Sequence, residues 1–297
     1  MANDLMTNRQ IVEALEARGE TVGALSPVGV RPPLGEYIRR LWERRHFIWM
    51  DAGHRVTNQN NRNRLGNVWL VLKPFLDAFM YWVIFALILG IDRGMENYTA
   101  YLIIGILMFR STMSSISSGP GILSSGRAMI RAFSFPRASL VVSAEMRSMF
   151  QMFYSIPVML VAIIVLPNHE TPEWTWLILP AVFVLHQILN LGIAFFMARI
   201  GHIVPDASQV MSFSARFLMY GSGVIFPVDR FLDNQVVSVL IQLNPIYHML
   251  ALYRGLLMDG VVPPLGHWLY LAGWGIGLTV LGFVFFWRGE ATYGGDE

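Results

Sequence analysis

The sequence contains no cysteine, and Lys73 is its only lysine. Without cysteine, the chain cannot form disulfides, thiolate metal sites or a cysteine nucleophile. A P-loop for ATP needs the pattern GxxxxGKS or GxxxxGKT, whose lysine contacts the phosphates. Lys73 lies in LVLKPFL, which no glycine-rich segment precedes. If the chain does work driven by ATP, a partner protein must therefore supply the ATPase.

Other patterns that carry chemistry are also missing. The seven histidines are scattered, with no HxxxH or HExxH pair for a metal ion, and the sequence has no GxSxG nucleophile elbow. We therefore expect no catalytic residues, no metal site and no cofactor bound by this chain. A net charge of +2 is too small to indicate nucleic-acid binding.

Charged residues make up only 14% of the chain, whereas 54% is hydrophobic; a soluble domain carries roughly a quarter charged residues. The apolar residues form runs near the roughly 20 residues that cross a bilayer. We predict an all-α integral membrane protein with six transmembrane helices. These lie at about 66–90, 98–117, 140–166, 175–198, 208–226 and 267–287.

The predicted domains are a cytoplasmic tail (1–33), an amphipathic interfacial helix with a basic connector (34–64), the transmembrane domain (65–289) and a second cytoplasmic tail (290–297). Arginines concentrate in the segment 31–64 and in the loop after the second span, which places both termini in the cytoplasm. Residues 34–50 show a helical period, with an apolar face bounded by arginine and tryptophan. Such a helix lies flat at the membrane surface or packs on protein.

Residues 227–266 do not fit a simple loop. They contain two apolar helical pieces, about 230–243 and 246–258, which the Asn244-Pro245 pair separates. Each piece is too short to span a bilayer, which favours a re-entrant hairpin dipping from the outer face. The alternative is a pair of helices lying on the outer surface.

Charges inside the predicted spans are candidates for function. Asp77 lies one helical turn from Lys73 and is placed to pair with it. Arg110 precedes the run STMSSISSG, whose small polar side chains suit a wet cavity in which Arg110 contacts an anionic substrate group. Glu145 and Arg147 are expected near the cytoplasmic surface.

Two sets of aromatic residues follow helical spacing and suit stacking on sugar rings. They are Phe75, Phe79 and Trp82, and Phe213, Phe217 and Tyr220. Core packing or lipid contact is the alternative for each. In the other spans, His186 is expected to hydrogen bond to a neighbouring helix, and the pair Gly273 and Gly277 forms a GxxxG that allows close helix contact.

Four stretches together resemble one family. They are RNRLGNVWLVLKP, SSGRAMIRAFSFPRASL, VIFPVDRF and LNPIYHMLALYRGLL, and the likeness runs from about residue 33 to 288. They are similar to motifs of ABC-2 type permeases that export polysaccharides and teichoic acids. The many arginines beside one lysine are typical of a GC-rich genome, and the chain looks most like actinobacterial permeases that export lipid-linked galactan.

The resemblance implies a homodimer bound to two ABC ATPase subunits, which hold ATP and Mg. It implies a substrate glycan on a polyprenyl diphosphate lipid at the plasma membrane. Residues for diphosphate contact are Arg55, Arg62 and Arg64, with a topology signal as the alternative. Residues for ATPase coupling are Arg127, Arg131, Phe133, Phe135, Pro136 and Arg137. Residues for an outer gate are Asn244, Pro245, Tyr247 and Arg254.

Two other functions compete with this interpretation. A membrane-embedded glycosyl- or acyltransferase would need acids or histidines grouped at one depth, and the sequence shows no such group. An ABC-2 permease for a small lipid or a drug would differ only in its substrate.

Overall fold

The computed structural model describes residues 32–59, 64–84, 97–166, 170–226 and 235–293. Within these ranges the chain forms helices and no strands. The α-helices are α1 Leu34–Glu43, α2 Arg45–Asn58, α3 Trp69–Trp82, α4 Tyr98–Ser118, α5 Ile122–Ser125, α6 Arg127–Ala132, α7 Ala138–Val165, α8 Leu179–Ile203, α9 Ala207–Gly221, α10 Gln235–Gln242, α11 Pro245–Leu257 and α12 Leu265–Arg288. Short 3-10 turns adjoin several of them, including Trp174–Ile178 and Glu290–Thr292.

Four helical stretches of the described chain are long and apolar enough to cross a bilayer. They are Tyr98–Ala132, Ala138–Val165, Trp174–Ile203 and Leu265–Arg288. The predicted first and fifth spans correspond to α3 and α9, which have 14 and 15 residues, fewer than the roughly 20 needed. Residues 85–90 of the predicted first span lie outside the described residues. The count of six spans therefore stays a prediction.

Residues 34–50, predicted as one amphipathic helix, are helical, but the bounds of the helices differ from the prediction. The helix breaks at Arg44, and α2 then continues to Asn58 through part of the predicted connector. Tyr37 is fully buried in the protein, whereas Trp42 is 68% exposed. The apolar face is thus divided into a part that packs on protein and a part that is exposed. That this helix lies at the membrane surface stays a prediction.

Helix α4 is the most deeply buried of the four spans. It contacts α3, α7, α8, α9 and α11, so it forms the centre of the bundle. The two short pieces α10 and α11 meet at Asn244, whose side chain accepts a hydrogen bond from the Ile246 N–H and begins α11. The predicted break at Asn244-Pro245 is confirmed. Residues 227–234 lie outside the described residues, and the re-entrant arrangement stays a prediction.

Helices α8 and α12 pack closely, but not through the predicted GxxxG. A methyl group added at Gly192 would lie 2.6 Å from the Thr279 backbone nitrogen, and one at Gly282 would lie 2.8 Å from the Gly192 carbonyl oxygen. Gly273 and Gly277 have no described atom within 4 Å of such a methyl group. This pair therefore does not mediate the packing of α12 on α8, and close helix contact through Gly273 and Gly277 stays a prediction.

The substitution Gly192→Ala should separate α8 from α12, since its methyl group meets backbone atoms that cannot rotate away. We expect a loss of about 1–3 kcal/mol in the free energy of unfolding, the usual cost of overpacking. Gly277→Ala is the matched control and should be neutral or slightly stabilising. Thermal unfolding of the purified variants in the same detergent measures both, and equal melting temperatures would contradict the packing.

Candidate functional site

A polar cleft runs between α4 and α7. One part, the Arg110 cavity, has a volume of about 320 Å³, and the other, the Arg147 cavity, of about 280 Å³. Ser114, Ser118 and Ser148 line both, so the two parts are continuous. Positions 114 and 118 are one helical turn apart and lie on the same face of α4. The prediction that the run after Arg110 lines a cavity is confirmed.

Arg110 lies at one end of this cleft and reaches across to α3. Its guanidinium forms an ion pair with the Asp77 carboxylate, and 46% of the Arg110 side chain is exposed. The predicted pair between Asp77 and Lys73 is therefore wrong: the tertiary partner displaces the local one. Tyr81 of α3 is within electrostatic range of Arg110 and of Tyr220 on α9, so side chains of both helices lie near this end of the cleft. Substrate contact by Arg110 stays a prediction.

The other end of the cleft carries charges from two elements. On α2, Asp51 accepts hydrogen bonds from the Arg55 Nε at 2.8 and 2.9 Å and another from the Ser143 hydroxyl of α7. Arg147 of α7 lines the same cavity and is within electrostatic range of Arg55. Arg147 was not among the predicted site residues, because only the packing of α2 on α7 brings the two arginines together.

A buried hydrogen-bond network supports the middle of the cleft. The Thr112 hydroxyl donates to the Asn190 Oδ1 at 2.9 Å, so it accepts from the His186 Nε2, also at 2.9 Å. Asn190 donates to the Ser111 hydroxyl at 3.0 Å, which faces Ser148. The prediction that His186 bonds to a neighbouring helix is confirmed. The network fixes α4 against α7 and α8, where an unpaired polar group would be costly.

Most of the predicted sugar-contacting aromatics lie on the surface of this chain. On α3, Phe75 and Phe79 are about half exposed and stack with ring centroids 6.4 Å apart, while Trp82 is half-buried beside Phe79. The α9 residues are more exposed, at 65% for Phe213, 72% for Phe217 and 57% for Tyr220. Core packing is therefore excluded for all of them except Trp82. Contact with lipid, a second copy or sugar stays open.

A second polar group joins three distant segments, and we name it the Glu290 cluster: Tyr37, Arg137, Ala138 and Glu290. The Tyr37 hydroxyl donates to the Glu290 Oε2 at 2.7 Å and accepts from the Ala138 N–H at 3.0 Å. The Arg137 backbone N–H donates to the Glu290 Oε1, and its guanidinium to the Glu290 carbonyl, both at 2.9 Å. The cluster therefore ties α1 and the chain after α12 to the start of α7.

Burial sets the protonation behaviour of this cluster. It raises the pKa of the Glu290 carboxyl above its usual value, and the hydrogen bonds and charge of Arg137 and the Tyr37 hydroxyl oppose that effect. Burial also raises the pKa of the Tyr37 phenol, so that hydroxyl keeps its proton and can donate to Glu290. The carboxylate thus depends on its partners to remain charged.

The residues predicted for ATPase coupling fall into two groups. Arg127, Arg131 and Phe133 are exposed, and Phe133 is 67% exposed, as a docking surface requires. Pro136 is buried, Arg137 is engaged with Glu290, and the Phe135 ring lies 5.7 Å from the Arg44 guanidinium carbon. The second group therefore connects the loop to α1 and α12 within this chain.

Two of the residues predicted for an outer gate, Asn244 and Arg254, hold the end of α9, and the gate itself stays a prediction. The Asn244 amide donates to the Ser222 hydroxyl at 2.7 Å, and Pro245 begins α11. Tyr247 packs beside His248. Arg254 is 8% exposed and donates to the carbonyl oxygens of Gly223 and Val224.

The arginines predicted for diphosphate contact are separated by the structure. Arg55 is paired with Asp51, and Arg64 is exposed beside the start of α3. Arg62 lies outside the described residues, so its part in the prediction has no structural counterpart.

Comparisons with known proteins place this geometry in context. The family described as "ABC-2 type transporter" matches residues 53–258. The "O-antigen export system permease protein RfbA" of Myxococcus xanthus is 20% identical over 226 residues, 76% of this chain and 85% of that protein. A protein of the same description from Klebsiella pneumoniae is 25% identical over 212 residues, 70% of this chain and 80% of that protein.

Proposed function

Because this chain belongs to the ABC-2 type transporter family, we propose that it is the membrane-spanning permease of a polysaccharide exporter. Its substrate is a cell-wall galactan joined to a polyprenyl diphosphate lipid, and it moves outward across the plasma membrane. Similarity to permeases named for O-antigen export supports a polysaccharide as the substrate. Arginines at both ends of the cleft support an anionic lipid headgroup.

The observation that carries this proposal is the polar cleft between α4 and α7. Polar side chains within membrane spans are costly unless they face water, protein or a polar ligand. The serines at 114, 118 and 148 face cavity space, and guanidinium forks match the oxygens of a phosphate. The exposed aromatic rows on α3 and α9 add flat surfaces that stack on sugar rings without requiring an exact register.

The exporter is a homodimer bound to two ABC ATPase subunits, which bind ATP and Mg²⁺, while both termini of this chain lie in the cytoplasm. Closure of the ATPase pair pushes on residues 120–138, separates the two permeases and advances the glycan. The exposed side chains of Arg131 and Phe133 contact the ATPase. The Glu290 cluster transmits that push to α1 and α12.

Affinity purification of the tagged chain tests this function. We expect a protein with a complete P-loop to co-purify, and we expect Phe133→Ala to reduce its yield several-fold because it removes an exposed apolar contact. Phe153→Ala is the matched control, since Phe153 is also exposed, at 54%, but lies within α7. Depletion of the chain should make a lipid-linked glycan accumulate. Accumulation of a small lipid instead would favour the alternative substrate.

A further inference from the structure

The Arg147 cavity brings together two guanidinium groups that lie 92 residues apart in the sequence. Ile48, Ala52 and Val56 of α2 are buried and face α7. The neighbouring positions of α2 therefore project toward the cleft, where Arg55 lines the cavity with Arg147. Two positive groups that line one cavity repel each other, so this arrangement favours an anion between them.

The two arginines differ in their carboxylate partners. Both oxygens of Asp51 face the Arg55 Nε, whereas Arg147 has no hydrogen bond or salt bridge to another residue in the described part of the chain. Glu145 also lines the cavity, but its carboxyl is buried and accepts a hydrogen bond from Ser115 of α4 at 3.0 Å. Asp51 is thus the carboxylate that competes with a ligand for the guanidinium groups.

The rest of the wall supplies neutral donors. The hydroxyls of Ser114, Ser118 and Ser148 line the cavity, whereas those of Ser125 and Ser143 already donate to the Ile122 carbonyl and to Asp51. A volume of about 280 Å³ lies just below the roughly 300–1,000 Å³ of sites for drug-sized ligands. The cavity therefore fits a diphosphate and not a polymer. Arginine binds phosphate oxygens in pairs through its planar fork, which a lysine cannot reproduce.

We propose that the Arg147 cavity is the recognition site for the diphosphate of the lipid-linked substrate. The diphosphate lies between Arg55 and Arg147, accepts hydrogen bonds from the serine hydroxyls, and displaces Asp51 from Arg55. Asp51 occupies the site when the ligand is absent and so sets its affinity. This inference rests on the proposed function and names Arg147 as its specific phosphate contact.

Binding of farnesyl diphosphate to the purified chain in lipid nanodiscs tests the site. Arg147→Gln should weaken binding at least tenfold, and Arg147→Lys should weaken it less because the charge remains. Asp51→Asn should tighten binding several-fold, because it removes the competing carboxylate. The control is Arg45→Gln, which changes an arginine beside an apolar groove of α1 and α2 and should leave affinity unchanged. Thermal unfolding of each variant verifies that it is folded.

Competing ligands show whether the site recognises the diphosphate or the lipid chain of farnesyl diphosphate. Inorganic pyrophosphate should compete with farnesyl diphosphate, whereas farnesol should not; competition by farnesol alone would overturn recognition through phosphate. Wild-type affinity in a folded Arg147→Gln variant, or weaker binding in Asp51→Asn, would overturn this location while leaving the exporter intact. A wild-type chain that binds no farnesyl diphosphate would contradict the substrate class of the proposed function itself.

Discussion

Arg137→Ala is expected to destabilise the protein and to uncouple ATP hydrolysis from export. The substitution leaves the Glu290 carboxylate buried, at 3% exposure, without the guanidinium beside it. Breaking a buried ion pair costs about 3–5 kcal/mol; we expect roughly 3 kcal/mol, at the lower end, because 21% of the Arg137 side chain is exposed. Thermal unfolding measures the first effect, and the ratio of glycan exported to ATP hydrolysed in vesicles measures the second.

A double substitution distinguishes stability from coupling. Arg137→Met with Glu290→Gln removes both charges and should recover most of the lost stability, since no uncompensated charge is left. Export per ATP should stay low, because the loop is no longer tied to α12 through Arg137. Recovery of both quantities would show that Arg137 is only structural. Arg131→Ala, an exposed arginine of the same loop, should leave the melting temperature unchanged.

The stability defect of Arg137→Ala should also depend on pH. Burial already raises the pKa of Glu290, and removing Arg137 raises it further. A carboxyl with a raised pKa in the folded state favours folding below its unfolded pKa, and that contribution is lost as pH rises through the folded pKa. The difference in stability between variant and wild type should therefore shrink as pH falls. A difference that grows in acid would contradict this assignment.

Local patterns in the sequence predicted the elements that depend on near neighbours. The helical periods, the break at Asn244-Pro245 and the serine run on α4 each depend on residues within a few turns, and the structure bears them out. Arg110 was also predicted from such local patterns, but the predicted partner of Asp77 was wrong. Lys73 is one turn from Asp77, whereas the true partner is 33 residues away on another helix.

Contacts between distant segments left no such signal. Tyr37 and Glu290 are 253 residues apart, and Tyr37 has the same apolar spacing as its neighbours in α1. Gly192 and Gly282 do not form a GxxxG, yet α8 meets α12 at both of these glycines. A periodic pattern shows that one face of a helix carries apolar or small residues. Which helix packs on that face depends on how the helices assemble.

Arg254→Met is expected to release the turn that follows α9. Its guanidinium donates to Gly223 at 2.8 Å, Val224 at 3.0 Å and Tyr101 at 3.2 Å, all through backbone carbonyls. Gly223 has a φ of +70°, a conformation that favours glycine. Hydrogen bonds from a charged group contribute more than neutral ones, and the relief of a buried charge offsets part of their loss. We expect a net destabilisation of about 2–4 kcal/mol.

Cysteine labelling can locate this effect, because the chain has no cysteine of its own. Val224→Cys places a thiol at a fully buried side chain, which should react slowly in an otherwise unchanged protein and much faster with Arg254→Met. Gly105→Ala tests the same contact from α4, since its methyl group would lie 2.5 Å from the Arg254 Nη2, and should also expose the thiol. Gly273→Ala, with no described atom nearby, should not. Slow labelling in all variants would show that Arg254 does not hold the turn. The end of α9 would then depend on Asn244 and on the hydroxyls of Tyr98 and Tyr101, which donate to the carbonyls of Ile225 and Gly223.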